Sequence, residues 1–363
     1  MDKLQKARKA INEIDVKMAE LFEKRMRAAA EVAEYKKEHG LKIFDPKREA
    51  ELIRQGSDII EDSELREYYV HFLKNNMEIS KKYQQRLMEG MIVAYSGTEG
   101  AFAHIAARRL FPTANHRAYS DFASAYNAVA NGECDAAVLP LENSYNGEVG
   151  QVTDLMLSGS LFINGTVELD ITQDLLGVKG ATVSDIKEVV SHPQALGQCV
   201  EYIRSKGFIE KEYVNTALAA KYVAEQNDKR IAAIASEEAA EIFGLTFLER
   251  GINASKNNTT RFAIFSRAEN KLPASERGVH TVLLFTVRNE AGALAKAIDV
   301  IGRHGFNMLC LRSRPMKELL WQYYFYVEAE GNVNTEEGKE MMRELKNYCD
   351  RLKSVGTYVR DKG

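Results

Sequence analysis

No apolar run in these 363 residues is long enough to span a bilayer, and nothing near Met1 resembles a signal peptide. Cysteine is scarce as well. Cys134, Cys199, Cys310 and Cys349 are scattered, with no close pair and no adjacent histidine. A zinc site or disulfide framework is therefore not expected, and a reducing cytoplasm suits the chain best. Nor is charge of one sign in excess, since 49 Lys+Arg against 52 Asp+Glu leave a net charge of −3. Neither nucleic acid nor an anionic membrane is implied as a partner. Anionic ligands would have to be held by local clusters of cations.

What is present is ordinary globular composition, 45% hydrophobic and 28% charged, in a chain too long for one core. The text changes character twice. Residues 1–88 show charged residues threaded by apolar ones at helical spacing, with no strand pattern. Residues 91–267 alternate short β-like runs with helical stretches and read as an α/β domain. A polar connector with Pro273 leads to a compact unit over 279–360. There the spacing predicts a strand over His280–Val287, a helix over Gly292–His304 and strands over Asn307–Ser313 and Leu320–Glu328. A helix over Thr335–Leu352 and a short strand near Val355–Val359 complete the ferredoxin-like βαββαβ order.

Along the first helix one face carries Leu4, Arg8, Ile11, Asp15, Met18, Phe22, Arg25, Ala29, Val32 and Lys36, the seam of an a/d repeat. Charges in such a seam are costly to bury unless they are partnered. On the last helix, Ser80 and Gln84 interrupt the stripe of Leu73, Met77 and Leu87. Between these helices, Asp45-Pro46 reads as an N-cap and first helical residue, which places Arg48 and Glu49 in the first turn of a middle helix. Cations, an amide and a hydroxyl pointing inward suit a small dianion. At about 1.5 Å per residue, Arg8 and Arg25 lie roughly 25 Å apart on one helix, so a second chain must supply Arg8 if it serves the same site. An intertwined dimer is the expectation.

The pattern Arg8-x6-Asp15-x9-Arg25-x10-Lys36, Asp45-x2-Arg48-Glu49, Ser80-x3-Gln84 resembles the all-helical chorismate mutases. The resemblance implies that Arg8 of a partner subunit, Arg25 and Lys36 hold the carboxylates and ether oxygen of chorismate. Asp45 and Arg48 would bind or orient it, Glu49 would meet its hydroxyl, Gln84 the ether oxygen and Ser80 a carboxylate. The rearrangement to prephenate needs no nucleophile, metal or net proton transfer. It needs a compact conformer and stabilisation of charge on the breaking C–O bond.

In the middle segment, polar residues gather at strand ends, where open α/β sheets bind ligands. They include the Gly97-Thr98-Glu99-Gly100 loop, Glu142-Asn143-Ser144 and Ser191-His192-Pro193. With Asn258-Thr259-Thr260-Arg261-Phe262 these resemble prephenate dehydratase from Met91 to Arg267. The implied fold is two α/β lobes around a cleft, like the bilobal periplasmic binding proteins, and the implied essential residue is Thr260. Prephenate must lose CO₂ while hydroxide departs, so a proton donor is needed near that oxygen. A threonine hydroxyl is a weak acid, so Thr260 is expected as a donor or relay, with Glu142 and His192 as groups whose pKa can be tuned. Asn143, Ser144, Ser191 and Phe262 are expected against substrate. Arg261 is open to two readings, a carboxylate clamp or a structural ion pair. Against many relatives, Thr98 replaces a proline, Ala103 a serine and Gln173 a histidine.

The last unit offers no acid–base pair in a recognisable setting. Asn289-Glu-Ala-Gly292-Ala293-Leu294 and Arg312-Ser313-Arg314-Pro315 resemble the Gly-Ala-Leu and Glu-Ser-Arg-Pro motifs of the ACT domain of prephenate dehydratases, which binds phenylalanine. Arg312 stands where that motif has glutamate, and Ala291 where proline is usual. A reversed charge beside a zwitterion site is expected to alter binding. Trp321 and Tyr323 to Tyr326 read as core and interface packing. Together the resemblances imply a dimeric enzyme of phenylalanine biosynthesis that takes chorismate through prephenate to phenylpyruvate under phenylalanine control, with no cofactor or metal.

Overall fold

The computed structural model describes residues 2–254, 258–316 and 322–360. The chain divides into two compact units, Met1–Ile92 and Val93–Gly363. No helix among the described residues is long and apolar enough to cross a membrane.

The first unit is three helices: α1 (Lys3–Glu38), α2 (Pro46–Ile59) and α3 (Ser63–Glu89). Each starts on an aspartate whose carboxylate accepts from first-turn N–H groups: Asp2, Asp45 and Asp62. The expected Asp45-Pro46 start of α2 is present. Gly90, at φ +87°, ends α3. Burial is thin. Only Ala29 and Ala33 of α1 and Gly56 of α2 are buried, while Ile11, Ile14, Met18 and Phe22 stand exposed. At Gly56 a Cβ would lie 2.3 Å from Leu73 Cδ1, so α2 meets α3 at a position that only glycine fits without repacking.

The second unit opens with β1 (Ile92–Ser96), α4 (Phe102–Leu110), β2 (Asn115–Tyr119), α5 (Phe122–Ala130), β3 (Ala136–Asn143), β4 (Gly147–Glu148), α6 (Gly150–Ser158) and β5 (Phe162–Asp170). The chain then leaves this lobe to build a second one. That lobe holds β6 (Asp174–Gly177), β7 (Glu188–Ser191), α7 (Pro193–Gln198), α8 (Val200–Lys206), β8 (Ile209–Glu212), α9 (Thr216–Gln226), β9 (Ile231–Ala235), α10 (Glu237–Phe243) and β10 (Thr246–Glu249). It returns as β11 (Thr259–Ser266), which inserts antiparallel between β3 and β5. The two sheets run β2-β1-β3-β11-β5, with β4 on β3, and β10-β6-β9-β7-β8. The outgoing and returning segments bond to each other, Ile171 N–H to the Asn258 carbonyl at 2.7 Å and Ile252 N–H to that of Gln173 at 2.9 Å.

The chain ends in β12 (Val279–Thr286), α11 (Ala293–Arg303), β13 (Asn307–Pro315), β14 (Tyr323–Glu330), α12 (Glu336–Leu345) and β15 (Arg351–Val359), with sheet order β13-β14-β12-β15, all antiparallel. Both helices cover one face, packing Leu283, Phe285, Ile301, Val327, Met341 and Leu345 together. Tyr324 and Tyr326 are buried on the other face. Leu320 and Trp321 lie outside the described residues. The last helix stops seven residues before the expected Leu352. A tight turn at Asn347 and Tyr348 frees Arg351 onward to pair with β12, which satisfies more backbone groups than a longer helix end would. Against β5, Gly356 (φ +150°) comes so close that a Cβ would lie 2.1 Å from the Ile163 carbonyl oxygen.

Candidate active sites

In the helical unit Arg25 and Ser80 come together, while Lys36, Asp45 and Arg48 have other partners within the chain. Arg25 of α1 donates to the Ser80 hydroxyl and to the Asn76 carbonyl (3.3 Å) of α3. Gln84, one turn beyond Ser80, is buried, and among the described residues its Oε1 has no hydrogen-bond partner. A buried amide oxygen without a donor costs about 1–3 kcal/mol unless a ligand satisfies it. Lys36 Nζ donates to the Ile43 carbonyl at 2.6 Å, which fixes the loop after α1. Glu49 pairs with Lys81 at 2.9 Å, a cation that the sequence reading passed over although it adjoins Ser80. Hydrogen bonds to Glu78 and Glu49 hold the Lys81 ammonium above its ordinary pKa. Asp45 spends its carboxylate on the Lys47 and Arg48 N–H groups, and Arg48 turns to Glu51 at 3.0 Å. Arg8 stands exposed on the first turns of α1. A cavity of about 890 Å³ opens between α1 and α3, with Asp15, Arg25 and Asn76 on its wall beside Phe22 and Phe72.

Between the two lobes lies a cleft of about 450 Å³. Thr260, Phe262, Asn143 and Pro140 line it from the first sheet, and His192, Gln173, Gln198 and Asn215 from the second lobe. Alternation along β11 selects Thr260 and Phe262 for this face. Asn143 is a hub. Its Oδ1 accepts from the Tyr145 and Asn146 N–H groups, which fixes the amide. Its Nδ2 then donates to Asn258 Oδ1 (2.8 Å) and to Thr260 Oγ1 (2.9 Å). Thr260 thus uses a lone pair toward Asn143, and its proton is what it offers the cleft. His192 caps α7, its Nδ1 accepting from the Gln194 N–H at 3.2 Å, so the neutral ring carries its proton on Nε2. The Gln173 side chain, at 2% exposure, donates from Nε2 to Gln198 at 3.5 Å. Among the described residues its Oε1 has no partner.

No Lys or Arg of the described residues lines this cleft. Anions there meet neutral donors and the starts of two helices facing each other across it. These are α4, whose first turn has no side-chain cap, and α9, capped by Asn215. The loop before α4 is held from behind, where buried His104 accepts the Gly100 N–H on Nδ1 at 3.1 Å. Burial pushes the His104 pKa down.

Four expectations change. Glu142 does not line the cleft; it is adjacent to Asn143 but points through the opposite face of the sheet, to Arg261 (3.0 Å) and Arg312. Arg261, between Thr260 and Phe262, follows it there for the same reason of alternation, which favours the ion-pair reading. Ser191 is fully buried, and its hydroxyl donates to the Ile234 carbonyl on the adjacent strand at 2.5 Å. Ser144 accepts the Thr259 N–H and holds the end of β11. Gln198, Asn215 and Thr216 were not anticipated in the cleft, while Asn258, at the head of the Thr260 string, stands behind it on Asn143. The only sequence signal available was Asn215 before an apolar helical run, an N-cap pattern.

In the last unit Gly292 (φ +81°) starts α11 with no side-chain cap, and Asn289, Ala293 and Leu294 form the same turn at or near the surface. Ser313 is exposed on β13. Arg314, expected at the effector site, instead binds Asp154 (3.1 Å), Glu148 and the Tyr324 hydroxyl (3.0 Å) on the sheet's other face. Pro315 lies at the wall of a separate cavity of about 620 Å³. Arg312 binds Glu142 on the same face of the sheet as Arg314.

Residues 7–85 match the chorismate mutase type II family and residues 93–270 the prephenate dehydratase family. A bifunctional chorismate mutase/prephenate dehydratase of Aquifex aeolicus is 31% identical across 99% of this chain and 98% of its own length. Among solved structures, a chain described as a quorum-quenching acylase, GqqA, is 32% identical, covering 75% of this chain and 98% of its own, at TM-score 0.69. The prephenate dehydratase of Arthrobacter aurescens in complex with L-Phe is 26% identical, covering 74% and 90%, also at TM-score 0.69. The chain belongs to the bifunctional chorismate mutase/prephenate dehydratase family.

Proposed function

We propose that this member of the family converts chorismate to prephenate in its helical unit and prephenate to phenylpyruvate in the interlobe cleft. Three domains are assigned: 1–88 for the mutase, 91–267 for the dehydratase, and 279–360 as a ferredoxin-like ACT domain that brings both under phenylalanine control. The observation that carries the dehydratase is the Asn143–Thr260 bond, which leaves the Thr260 proton for the substrate.

In that cleft the bond from ring carbon to carboxylate breaks and CO₂ leaves. The electron pair moves through the diene and expels hydroxide from the opposite carbon. Thr260 O–H donates to that oxygen as charge builds on it, and His192 Nε2–H is the second donor at hand. One proton is consumed, water is released, and the ring becomes aromatic. The neutral lining holds both carboxylates without a competing cation that would stabilise the ground state of the one to be lost.

In the mutase, Arg25 and Ser80 take a carboxylate. The Gln84 amide and Lys36 ammonium stabilise the ether oxygen as its C–O bond breaks. The bare apolar face of α1 supports a homodimer, in which Arg8 of a second copy completes each site. The enzyme works in the cytoplasm.

The test follows chorismate, prephenate and phenylpyruvate over time with purified protein, with and without L-phenylalanine. Chorismate should pass to phenylpyruvate, more slowly with phenylalanine. Prephenate that accumulates unchanged would refute the dehydratase assignment, and stable chorismate the mutase.

A further inference from the structure

On the back of β11 and β3 the C-terminal sheet seals a set of ionised groups against the catalytic lobe. Arg261 sits at its centre, within 3.0 Å of Glu142, 3.0 Å of Glu328 and 3.4 Å of Glu168. Its side chain is 13% exposed and that of Glu328 3%. One guanidinium cannot neutralise three carboxylates. The balance comes from the C-terminal domain, where Arg360 binds Glu168 at 2.6 Å and Arg312 binds Glu142. Arg312 also lies 3.9 Å from Glu148, and Arg314 joins Glu148 to Asp154, so the network continues along the interface. The Tyr358 hydroxyl adds a bond to Glu328 at 2.8 Å.

Two members on the catalytic side, Glu142 and Arg261, are immediate neighbours of cleft residues. Glu142 precedes Asn143, Arg261 follows Thr260, and the two strands are paired at Asn143↔Thr260 and Arg261↔Glu142. The front pair is the hydrogen bond that aims the Thr260 proton, and the back pair is an ion pair. The two pairs are adjacent rungs of one ladder.

We propose that Arg312 is a positioning residue for the dehydratase. From the C-terminal domain it holds Glu142, and through Glu142 the Asn143–Thr260 pair. A glutamate at 312 would set a carboxylate against Glu142 and Glu148, so the arginine here is matched to its neighbours.

This rests on the interlobe cleft being the dehydratase site, and the full chain supplies its own control, because the mutase lies in the other unit. Prephenate turnover and mutase rate are measured for Arg312→Ala, Arg312→Lys, Glu142→Gln and the double variant Arg312→Ala/Glu142→Gln. Arg312→Ala should lower dehydratase kcat by about 10- to 100-fold with KM little changed, since misplacement by an ångström is worth that much. Arg312→Lys should recover most of the loss, and the mutase rate should hold throughout. The double variant should be no slower than the worse single one, as expected of residues acting through one contact. Unchanged kcat in Arg312→Ala, or effects that multiply in the double variant, would overturn the proposal. If Arg312→Ala loses both activities through unfolding, the lysine variant decides: mutase and dehydratase falling together in it also overturns the idea. A wild-type chain without prephenate turnover would instead sink the dehydratase reading itself.

Discussion

Asn143 Nδ2 reaches Thr260 Oγ1 across 2.9 Å from the neighbouring strand, and this amide decides which way the hydroxyl points. Because Asn143 Oδ1 is already bound by two backbone N–H groups, the amide cannot turn over to accept from Thr260. The threonine is a donor by construction of its surroundings.

Asn143→Asp turns this donor into an acceptor, and the Thr260 proton would then go to the carboxylate. Loss of prephenate turnover should approach that of Thr260→Ala, about 10²–10⁴-fold, although the hydroxyl is still present. Single-turnover assays on prephenate check this. Near-normal turnover in Asn143→Asp would show that the hydroxyl is not the proton donor.

Gln84→Ala should slow the mutase by about 10²–10³-fold, the usual cost of one donor to a developing oxyanion. The dehydratase should be untouched. Chorismate disappearance and prephenate turnover, measured on the same preparation, separate the two.

If Arg8 serves the partner's site, neither Arg8→Ala nor Arg25→Ala should be active as a mutase alone. Co-refolding the two variants should regain activity, because each mixed dimer contains one site with neither change. No recovery on mixing, with dimers demonstrated by sedimentation, would place Arg8 outside the site.

His104 has its pKa lowered chiefly by burial, and its neutral Nδ1 accepts the Gly100 N–H. A base with a depressed folded pKa contributes stability that is fully present above its unfolded value near 6.5. That contribution is lost as pH falls through the lower folded value, because the unfolded chain binds the proton first. The melting temperature of the second unit should fall between about pH 7.5 and 5, and the fall should be smaller in His104→Gln. Equal slopes for both proteins would contradict this.

At Gly356 a methyl group would strike the Ile163 carbonyl, and the backbone conformation is one that glycine alone adopts easily. Gly356→Ala should cost about 1–3 kcal/mol or more, as overpacking and strain do. Thermal unfolding would show it, with the mutase transition unmoved.

The first unit was readable because its chemistry interrupts a periodic stripe: Arg25, Ser80 and Gln84 stood out as polar residues in an apolar seam. Thr260 and Asn143 were readable through their motifs. Assigning Glu142 to the cleft ignored a rule already available, since neighbours on a strand face opposite ways, and Asn143 had the front. Ser191 ends a strand whose last three residues are buried, so its hydroxyl turns to the neighbouring strand rather than to the cleft. What sequence spacing did not carry was the destination of the back-facing groups. Arg312 meets Glu142 across 170 positions, and nothing local to either residue announces the other. Likewise the helix expected to reach Leu352 gave way to pairing with β12, a partner some 65 residues earlier.

The ions behind β11 are encoded in two stretches separated by the connector at 268–278. A genetic exchange in that connector would leave acids from one parent facing whatever the other parent placed at 312 and 360. The joint that looks most permissive in the sequence is where free reassortment would be punished, so catalytic lobe and C-terminal sheet descend as one inheritance.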